Sequence, residues 1–349
     1  MKMEILTDTI KLGDFTLSSG IKSDHYFDLR ELISKPESLC VILELIAEKE
    51  ETSFADCNLV CGVPIGGIPL ASAYSIIYNI PQIILRKEAK KHGTAKDIEG
   101  IWKKGDKVLL LDDVWTTGAS MNNAKQKLES YGLDVEMAVI LWRSRYVPPK
   151  NVQCLFHEDE ILDAPIVKFK RHLSDKGKLC FAADCSFFIN IFAHADRLRD
   201  KISVLKLHPD IVADWSKTAV AKLINLGEKY NVKLWVDLKL CDISHVMIEQ
   251  MRQYKWADLI SVMSIVGEDT IGRLEEEANE HDIDLILVNS LSSNGGRIWT
   301  DDRDFSEIKW TRVVGNVGDP IQGLVHIAAG VGDEDPECDL IVRGRSLMI

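Results

Sequence analysis

Two neighbouring carboxylates and a turn rich in hydroxyl groups form the first set of residues that could do chemistry. The segment LDDVWTTGAS (residues 111–120) places Asp112 and Asp113 at the end of an apolar run. A small-residue turn that opens a helix binds phosphate well, because its backbone N–H groups have no partner within the helix. The two carboxylates suit either a ribose diol or a ligand-bound Mg²⁺. We therefore predict a site for a phosphorylated sugar, with these binding candidates in the turn: Thr116, Thr117, Gly118 and Ser120.

A second set alternates acidic and basic residues. The segment DLKLCD (residues 237–242) carries Asp237, Lys239 and Asp242, and Lys206 stands in an earlier apolar run. Because side chains alternate along a strand, Asp237 and Lys239 share one face. Lysines and aspartates this close can hold one another charged inside a closed site. A surface ion-pair network would have the same composition, but we predict that Lys206 stands beside the other three and that all four are catalytic.

Alternating elements must position the first set. Strands are predicted at residues 58–63, 81–85, 107–114 and 135–142, and helices at residues 39–47, 68–78 and 119–131. Strands that alternate with helices indicate a parallel sheet with helices on both faces. Ligands of such sheets bind beyond the carboxyl ends of the strands, which is where the Asp112–Asp113 pair falls.

The second half of the chain predicts a barrel. Eight short apolar strands are expected at residues 179–183, 202–207, 232–238, 259–263, 285–290, 311–317, 324–329 and 340–342. Eight such strands with intervening helices indicate a closed (β/α)8 TIM barrel. It is a trimmed one, because the last intervals are too short for full helices and few residues follow the eighth strand. We predict domains at 1–147 and 178–349, joined by a linker at 148–177 with a short ordered piece around 161–169.

The composition excludes several classes of protein. The chain has 349 residues, enough for about two domains. Its net charge of −12 disfavours a nucleic-acid partner, which needs a basic surface. No apolar run is long enough to span a membrane or to act as a signal peptide. The eight cysteines form no C-x-x-C pair, so we expect reduced thiols, no zinc site and a cytoplasmic protein.

The first half resembles a known family. The Asp-Asp and Thr-Thr-Gly motif is similar to the phosphoribosyl pyrophosphate (PRPP) signature of type I phosphoribosyltransferases. FTLSSG (15–20), YFDLR (26–30), GVPIGGIPLA (62–71) and RKEAKKHGT (86–94) resemble orotate phosphoribosyltransferases in the same order. The resemblance implies the type I phosphoribosyltransferase fold, a pyrophosphate loop at 62–67, Arg143 on the orotate carboxylate, and Mg²⁺ carried by PRPP near the two aspartates. It also implies a lid that clamps pyrophosphate with Arg86, Lys87, Lys90 and His92.

The second half resembles orotidine 5′-phosphate decarboxylases. The pattern D-x-K-x-x-D with a lysine on the preceding strand carries the likeness, together with LCFAADC (179–185), LSSNG (291–295) and VRGRS (342–346). By this resemblance Asp184 lies by the ribose, Ser292 reads the pyrimidine and Arg345 binds the phosphate of orotidine monophosphate (OMP). The implied reaction needs no cofactor, and Lys239 protonates the carbanion. Asp242 would reach the partner subunit's site, which implies a homodimer.

With these two resemblances in this order, the chain resembles the bifunctional uridine monophosphate synthase family. The expected activity is conversion of orotate and PRPP to OMP and pyrophosphate, and then of OMP to UMP and CO₂. Three departures from the family patterns keep an alternative open, in which one half only binds its nucleotide: Ser18 replaces a usual Lys, Trp142 a usual Asp and Gly332 a common Gln. A metal-dependent branch that acts on sugar phosphates shares D-x-K-x-x-D, but the attached transferase half argues against it.

Overall fold

The chain divides into two units, Lys2–Leu162 and Asp163–Ile349. A computed structural model describes residues 4–16, 22–48, 53–86, 97–144, 147–149, 151–290, 312–317, 321, 324–329, 338–343 and 347. Within these ranges no helix combines the length and the apolar character that crossing a membrane requires.

The first unit is built on a six-stranded sheet with the strand order β5-β4-β3-β6-β7-β8. All neighbouring strands are parallel except the β4–β5 pair. The unit's strands are β1 (Ile10–Thr16), β2 (Lys22–Phe27), β3 (Leu59–Gly62), β4 (Gln82–Leu85), β5 (Ile98–Glu99), β6 (Lys107–Trp115), β7 (Asp134–Trp142) and β8 (Val152–His157). Its helices are α1 (Glu4–Thr7), α2 (Pro36–Ala47), α3 (Gly67–Tyr78), α4 (Ala119–Ser130) and α5 (Glu158–Leu162).

Helices cover both faces of this sheet, because side chains on both faces of β6 are buried. Leu109 and Leu111 pack in one cluster with α2 and α3. Val108 and Leu110 point to the opposite face and pack in a second cluster with α4. The predicted parallel sheet with helices on both faces is confirmed.

Two parts of the first unit differ from the sequence-based expectation. β1 and β2 pair antiparallel as a separate two-stranded sheet, which the largely polar and exposed residues of the hairpin did not reveal. The predicted linker at 148–177 contains β8, which pairs with β7, and also the helices α5 and α6 (Pro165–Lys176). β8 is a short edge strand with an incompletely buried pattern, so its apolar periodicity is weak.

The second unit is a closed barrel of eight parallel strands in the order β10-β11-β12-β13-β14-β15-β16-β9. The strands are β9 (Leu179–Ala182), β10 (Val204–Leu207), β11 (Lys233–Leu240), β12 (Leu259–Met263), β13 (Asp284–Val288), β14 (Val313–Val317), β15 (Val325–Ala329) and β16 (Leu340–Arg343). The helices between them are α7 (Phe188–Leu198), α8 (Lys217–Tyr230), α9 (Ser244–Arg252) and α10 (Glu268–Glu280). The predicted TIM barrel is confirmed, and all eight strands fall at the predicted segments.

The barrel interior is filled rather than open. Trp235, Ile286 and Val314 are among the side chains that meet there, and Phe169 and Leu173 of α6 join the same cluster. The ring of His172 on α6 bonds the carbonyl oxygen of Ser203 at 2.8 Å, immediately before β10 begins. α6 therefore closes the end where the strands start, and leaves the opposite end for the functional loops.

Candidate active sites

The first candidate site lies where β6 ends and α4 begins. The N–H of Asp113 donates to Asp112 Oδ1 (3.0 Å), and the N–H of Val114 donates to Asp113 Oδ1 (2.8 Å). Gly118 caps α4 with a left-handed backbone (φ 74°), a conformation that glycine adopts without steric cost. The turn residues Thr116, Thr117 and Ser120 are exposed. Hydroxyl groups and helix N–H groups thus stand together at the carboxyl end of the sheet, as a phosphate site requires.

The loop between β3 and α3 approaches the same carboxylates. A Cβ atom on Gly66 would lie 2.6 Å from Asp113 Oδ2, closer than any side chain could come. Asp113 could move away from a Cβ at position 66, but a Cβ at Gly67 would overlap the backbone carbonyl oxygen of Leu111 in β6, so glycine at position 67 allows the loop at 62–67 to meet β6. The two segments that the sequence analysis assigned to pyrophosphate and to PRPP are in contact.

Asp112 is buried beside a second acid. Burial and the neighbouring Asp113 raise the pKa of the Asp112 carboxyl to about 8. Within the described parts of the chain, no ion pair includes either carboxylate. A bound divalent cation, or hydrogen bonds from the hydroxyl groups of a ribose, would stabilise two neighbouring carboxylates. Carboxylate oxygens are ligands that Mg²⁺ prefers. The residues therefore fit both alternatives that the sequence left open.

Trp142 forms a stacked pair with Trp115. The two residues are register partners on β7 and β6, and their rings lie 4.9 Å apart at 18°. The indole N–H of Trp142 donates to the carbonyl oxygen of Ser144 (3.0 Å). Both rings are buried, and the ring of Trp115 lies against Gly118. Trp142 is thus part of the packing that supports the turn.

Arg143 lies in a cluster of charged residues. Its Nε donates to Glu158 Oε1 (2.7 Å), its guanidinium lies over the Phe27 ring (5.2 Å to the centroid), and its side chain is only 9% exposed. The same Glu158 oxygen lies 2.8 Å from His25 Nε2, and His25 Nδ1 lies 2.6 Å from Asp24 Oδ1. The hydrogen bond with Glu158 is the main cause that raises the pKa of His25, although burial opposes it. Burial would raise the pKa of Glu158, but His25 and Arg143 outweigh it and lower that pKa.

Arg86 is anchored at the end of β4. Its Nε donates to Glu99 Oε1 (2.7 Å), and its N–H donates to the carbonyl oxygen of Asp97 (2.9 Å). Lys127 of α4 donates to the Arg86 carbonyl oxygen (3.2 Å) and pairs with Asp97 (3.0 Å). The described contacts of Arg86 are therefore with its neighbouring strand and with α4.

The second candidate site is centred on Asp237, in the carboxyl-terminal half of β11. Lys206 Nζ and Lys239 Nζ both donate to Asp237 Oδ2, at 2.8 and 2.7 Å. His208 Nε2 lies 3.2 Å from the same oxygen and 2.8 Å from Lys206 Nζ. Asp184 is farther away, with its Oδ1 3.9 Å from Lys206 Nζ. One buried carboxylate thus holds two ammonium groups and an imidazole at the rim of the barrel.

The other carboxylate oxygen of Asp237 is held by Ser261 of β12. The Ser261 hydroxyl donates to Asp237 Oδ1 (2.6 Å) and accepts from the Lys239 N–H (2.9 Å). Lys239 has a left-handed backbone (φ 53°), which is unfavourable for a lysine. The β11–β12 register also shifts between Val236 and Leu240. Ser261 therefore supports both the carboxylate and the irregular backbone that aims Lys239.

Electrostatics keep Asp237 ionised. Burial alone would raise its pKa, but the His208 hydrogen bond and the charges of Lys206 and Lys239 outweigh burial and hold the pKa well below its usual range. A permanent negative charge between two ammonium groups can repel an anionic substituent while the cations stabilise a developing carbanion.

The structure brings together only some of the predicted residues. Lys206, Asp237 and Lys239 meet directly, and Asp184 lies at the edge of the group. Asp242 is exposed, its carboxylate accepts from the Ile243 N–H (2.7 Å), and no ion pair among the described residues joins it to the cluster. Several residues of interest lie outside the described residues: Ser18, Lys87, Lys90, His92, Ser292, Gly332 and Arg345.

Sequence reasoning missed four residues that the structure places in these clusters. His208 was detectable, because it shares a strand face with Lys206 at period two. Ser261 comes from a different strand, and only the barrel register brings it to Asp237. His25 and Glu158 carry no signal in the sequence, since the tertiary fold alone joins β2 to the start of α5.

Comparison with known proteins identifies both halves. The phosphoribosyl transferase domain family matches residues 29–165, and the orotidine 5′-phosphate decarboxylase / HUMPS family matches residues 177–314. The uridine 5′-monophosphate synthase of Bos taurus is 26% identical, over 82% of this chain and 74% of its own. The orotate phosphoribosyltransferase of Pyrococcus horikoshii is 45% identical, over 36% of this chain and 68% of its own. That of Methanosphaera stadtmanae is 34% identical, over 48% and 92%. The chain therefore belongs to the orotate phosphoribosyltransferase family over its first half, and its similarity to uridine 5′-monophosphate synthases extends over both halves.

Proposed function

We propose that the chain catalyses two consecutive reactions of pyrimidine biosynthesis. The first unit joins orotate to PRPP and gives OMP and pyrophosphate, and the second unit decarboxylates OMP to UMP and CO₂. The observation that carries the proposal is the Lys206–Asp237–Lys239 cluster, in a barrel joined to a phosphoribosyltransferase unit. The product of the first reaction is the substrate of the second.

In the transferase reaction the C1–O bond of PRPP breaks, pyrophosphate leaves, and a nitrogen of orotate bonds to C1. The sugar becomes cation-like, so the protein must mainly stabilise the negative charge that leaves. The turn at 116–120 binds the phosphate next to the ribose, and Asp112 and Asp113 face the ribose or the ion that it carries. Bound Mg²⁺ would supply charge neutralisation on pyrophosphate. Arg86, Lys87, Lys90 and His92 complete the pyrophosphate site, and Arg143 takes the orotate carboxylate.

In the decarboxylase reaction the bond between C6 and the carboxylate breaks and its electron pair stays on C6. Asp237 crowds the departing carboxylate, while the ammonium group of Lys239 stabilises the carbanion and then gives it a proton. Lys206 keeps Asp237 in place by its 2.8 Å hydrogen bond. Asp184 binds the ribose, Ser292 the pyrimidine and Arg345 the phosphate, and this half needs no cofactor.

We further propose that the protein acts as a cytoplasmic homodimer in which Asp242 enters the partner's site. Three exposed isoleucines, Ile211, Ile243 and Ile265, follow the successive strands β10, β11 and β12. An apolar rim around a polar site is typical of a surface that another subunit covers. Sedimentation of the full chain tests this, and a monomer at catalytic concentration would contradict it. The cysteine pattern, with no C-x-x-C pair, supports a reducing compartment.

The test uses orotate labelled in its carboxyl carbon, mixed with PRPP, Mg²⁺ and the full chain. Labelled CO₂ is the expected product, because it forms only when both units work in sequence. Lys239→Ala should stop CO₂ release and accumulate OMP, whereas Asp113→Asn should leave orotate unconsumed.

Each failure has its own signature. If the parent chain accumulates OMP without releasing CO₂, the decarboxylase proposal is wrong and the barrel only binds nucleotide. If orotate remains untouched while added OMP is decarboxylated, the transferase proposal is wrong instead.

A further inference from the structure

Glu158 joins three parts of the first unit through one oxygen atom. Its Oε1 accepts from Arg143 Nε (2.7 Å), which follows β7, and lies 2.8 Å from Nε2 of His25 on β2. Glu158 itself begins α5. Among the residues that the structure describes, the β1–β2 hairpin pairs with neither edge of the six-stranded sheet, so this cluster is one of its connections to the sheet.

The cluster fixes the orientation of Arg143. A guanidinium group has a planar, forked set of donors. Here Nε is held by Glu158 and Nη2 lies 3.3 Å from His25 Nε2, so among the described contacts Nη1 is the donor that remains to meet a second anion. The Phe27 ring, also on the hairpin, lies beneath the guanidinium at 5.2 Å. Glu158 thus fixes one edge of Arg143 and, through His25, holds the strand that carries Phe27.

Burial makes this arrangement effective. The side chains of Arg143, His25 and Glu158 are only 9%, 10% and 21% exposed, so their attraction is weakly screened by water. Charge-assisted hydrogen bonds of this kind are also the strongest and the most geometrically selective.

We propose that Glu158 is a positioning residue for orotate, with His25 as its second support. Glu158 touches no substrate in this proposal. It holds the Arg143 guanidinium and the β2 strand in the geometry that receives the carboxylate of a planar pyrimidine acid. The inference rests on the proposed transferase function, in which Arg143 binds orotate.

The test compares Glu158→Ala with Glu158→Gln in the full chain. The alanine variant should raise the KM for orotate by about tenfold or more, while the KM for PRPP stays within about twofold. The glutamine variant keeps an acceptor oxygen and should recover part of the loss. His25→Gln should move the orotate KM in the same direction by a smaller factor.

Glu31→Ala is the matched control. Glu31 also anchors the hairpin, through a 2.7 Å ion pair with Lys11 of β1, but it makes no described contact with Arg143. It should leave both KM values unchanged. Decarboxylation of added OMP should be the same in all variants.

The outcomes separate this inference from the function on which it rests. An unchanged orotate KM in Glu158→Ala overturns the positioning role, as does an equal rise in both KM values, since that is what mere loss of structure gives. A parent chain that forms no OMP overturns the transferase function and this inference together.

Discussion

Ser261→Ala tests how the barrel holds its central carboxylate. The Ser261 side chain is fully buried, donates to Asp237 Oδ1 at 2.6 Å and accepts from the Lys239 N–H at 2.9 Å. The substitution removes both hydrogen bonds and leaves the backbone of Lys239, already in a left-handed conformation, without this support. Both groups that act on the substrate would then lose their fixed geometry.

The expected magnitude follows from the charged bond. A hydrogen bond to a charged group is worth about 1.5–3 kcal/mol, which corresponds to about 10- to 150-fold in rate. We expect kcat/KM for OMP to fall by that factor, measured by the change in ultraviolet absorbance as OMP becomes UMP. Ser261→Thr keeps the hydroxyl group and suits a strand, so it should retain most of the activity.

Ser203→Ala provides the control for loss of a buried hydroxyl. Ser203 is equally buried in the same barrel, but its hydroxyl donates to the carbonyl oxygen of Leu179 (3.1 Å) and not to the site. It should keep kcat/KM within about twofold. If Ser261→Ala behaves like Ser203→Ala, the reasoning that links Ser261 to Asp237 and Lys239 is refuted.

Four further outcomes follow from the described geometry. Asp237→Asn should lower the rate of OMP decarboxylation by about 100-fold or more while OMP formation continues, because Lys206 and Lys239 lose their shared anion. A variant that decarboxylates OMP at the parent rate would contradict this. Since the pKa of Asp237 is lowered in the folded protein, its stabilising contribution is complete above the ordinary carboxyl pKa of about 4 and is lost as the pH falls below it. Urea unfolding should therefore show that the difference in unfolding free energy between the parent and Asp237→Asn is smaller at pH 3.5 than at pH 7. The same difference at both pH values would contradict the stabilising role of the ion cluster. Chelation of Mg²⁺ by EDTA should stop OMP formation but not the decarboxylation of added OMP. Inhibition of both steps would contradict the proposal that only the transferase step uses Mg²⁺. Trp142→Ala should lower the unfolding free energy of the first unit by about 3–5 kcal/mol, because it removes half of the stack with Trp115; a loss below about 1 kcal/mol would show that the stack is not supporting the turn.

The elements that the sequence predicted well are those with strong apolar runs. β6 and most of the barrel strands stand out because residues on both of their faces are buried, so most of these residues are apolar. β8 and the β1–β2 hairpin were missed because they are an edge strand and a largely exposed pair, in which local composition says little. Their placement depends on partners far away in the chain.

The same distinction holds for the candidate sites. Period two along one strand predicted that Asp237 and Lys239 share a face, and in the structure Lys239 Nζ does reach Asp237 Oδ2, although the backbone at Lys239 is irregular. The turn that opens α4 was predictable from its small residues. Contacts that depend on register, such as Ser261 with Asp237, needed the closed barrel. Glu158 was hidden because its segment was interpreted as a linker.

The stacked tryptophans also couple two distant positions of the sequence. Trp115 and Trp142 are register partners on adjacent strands, and each ring fills the space that the other leaves. An aspartate at position 142 would set a carboxylate against an indole in a site with 2% exposure, at a high desolvation cost. Shrinking Trp115 first would leave a cavity beside the turn. Either single substitution gives a less stable protein, so changes at the two positions are expected to be coupled in free energy rather than additive.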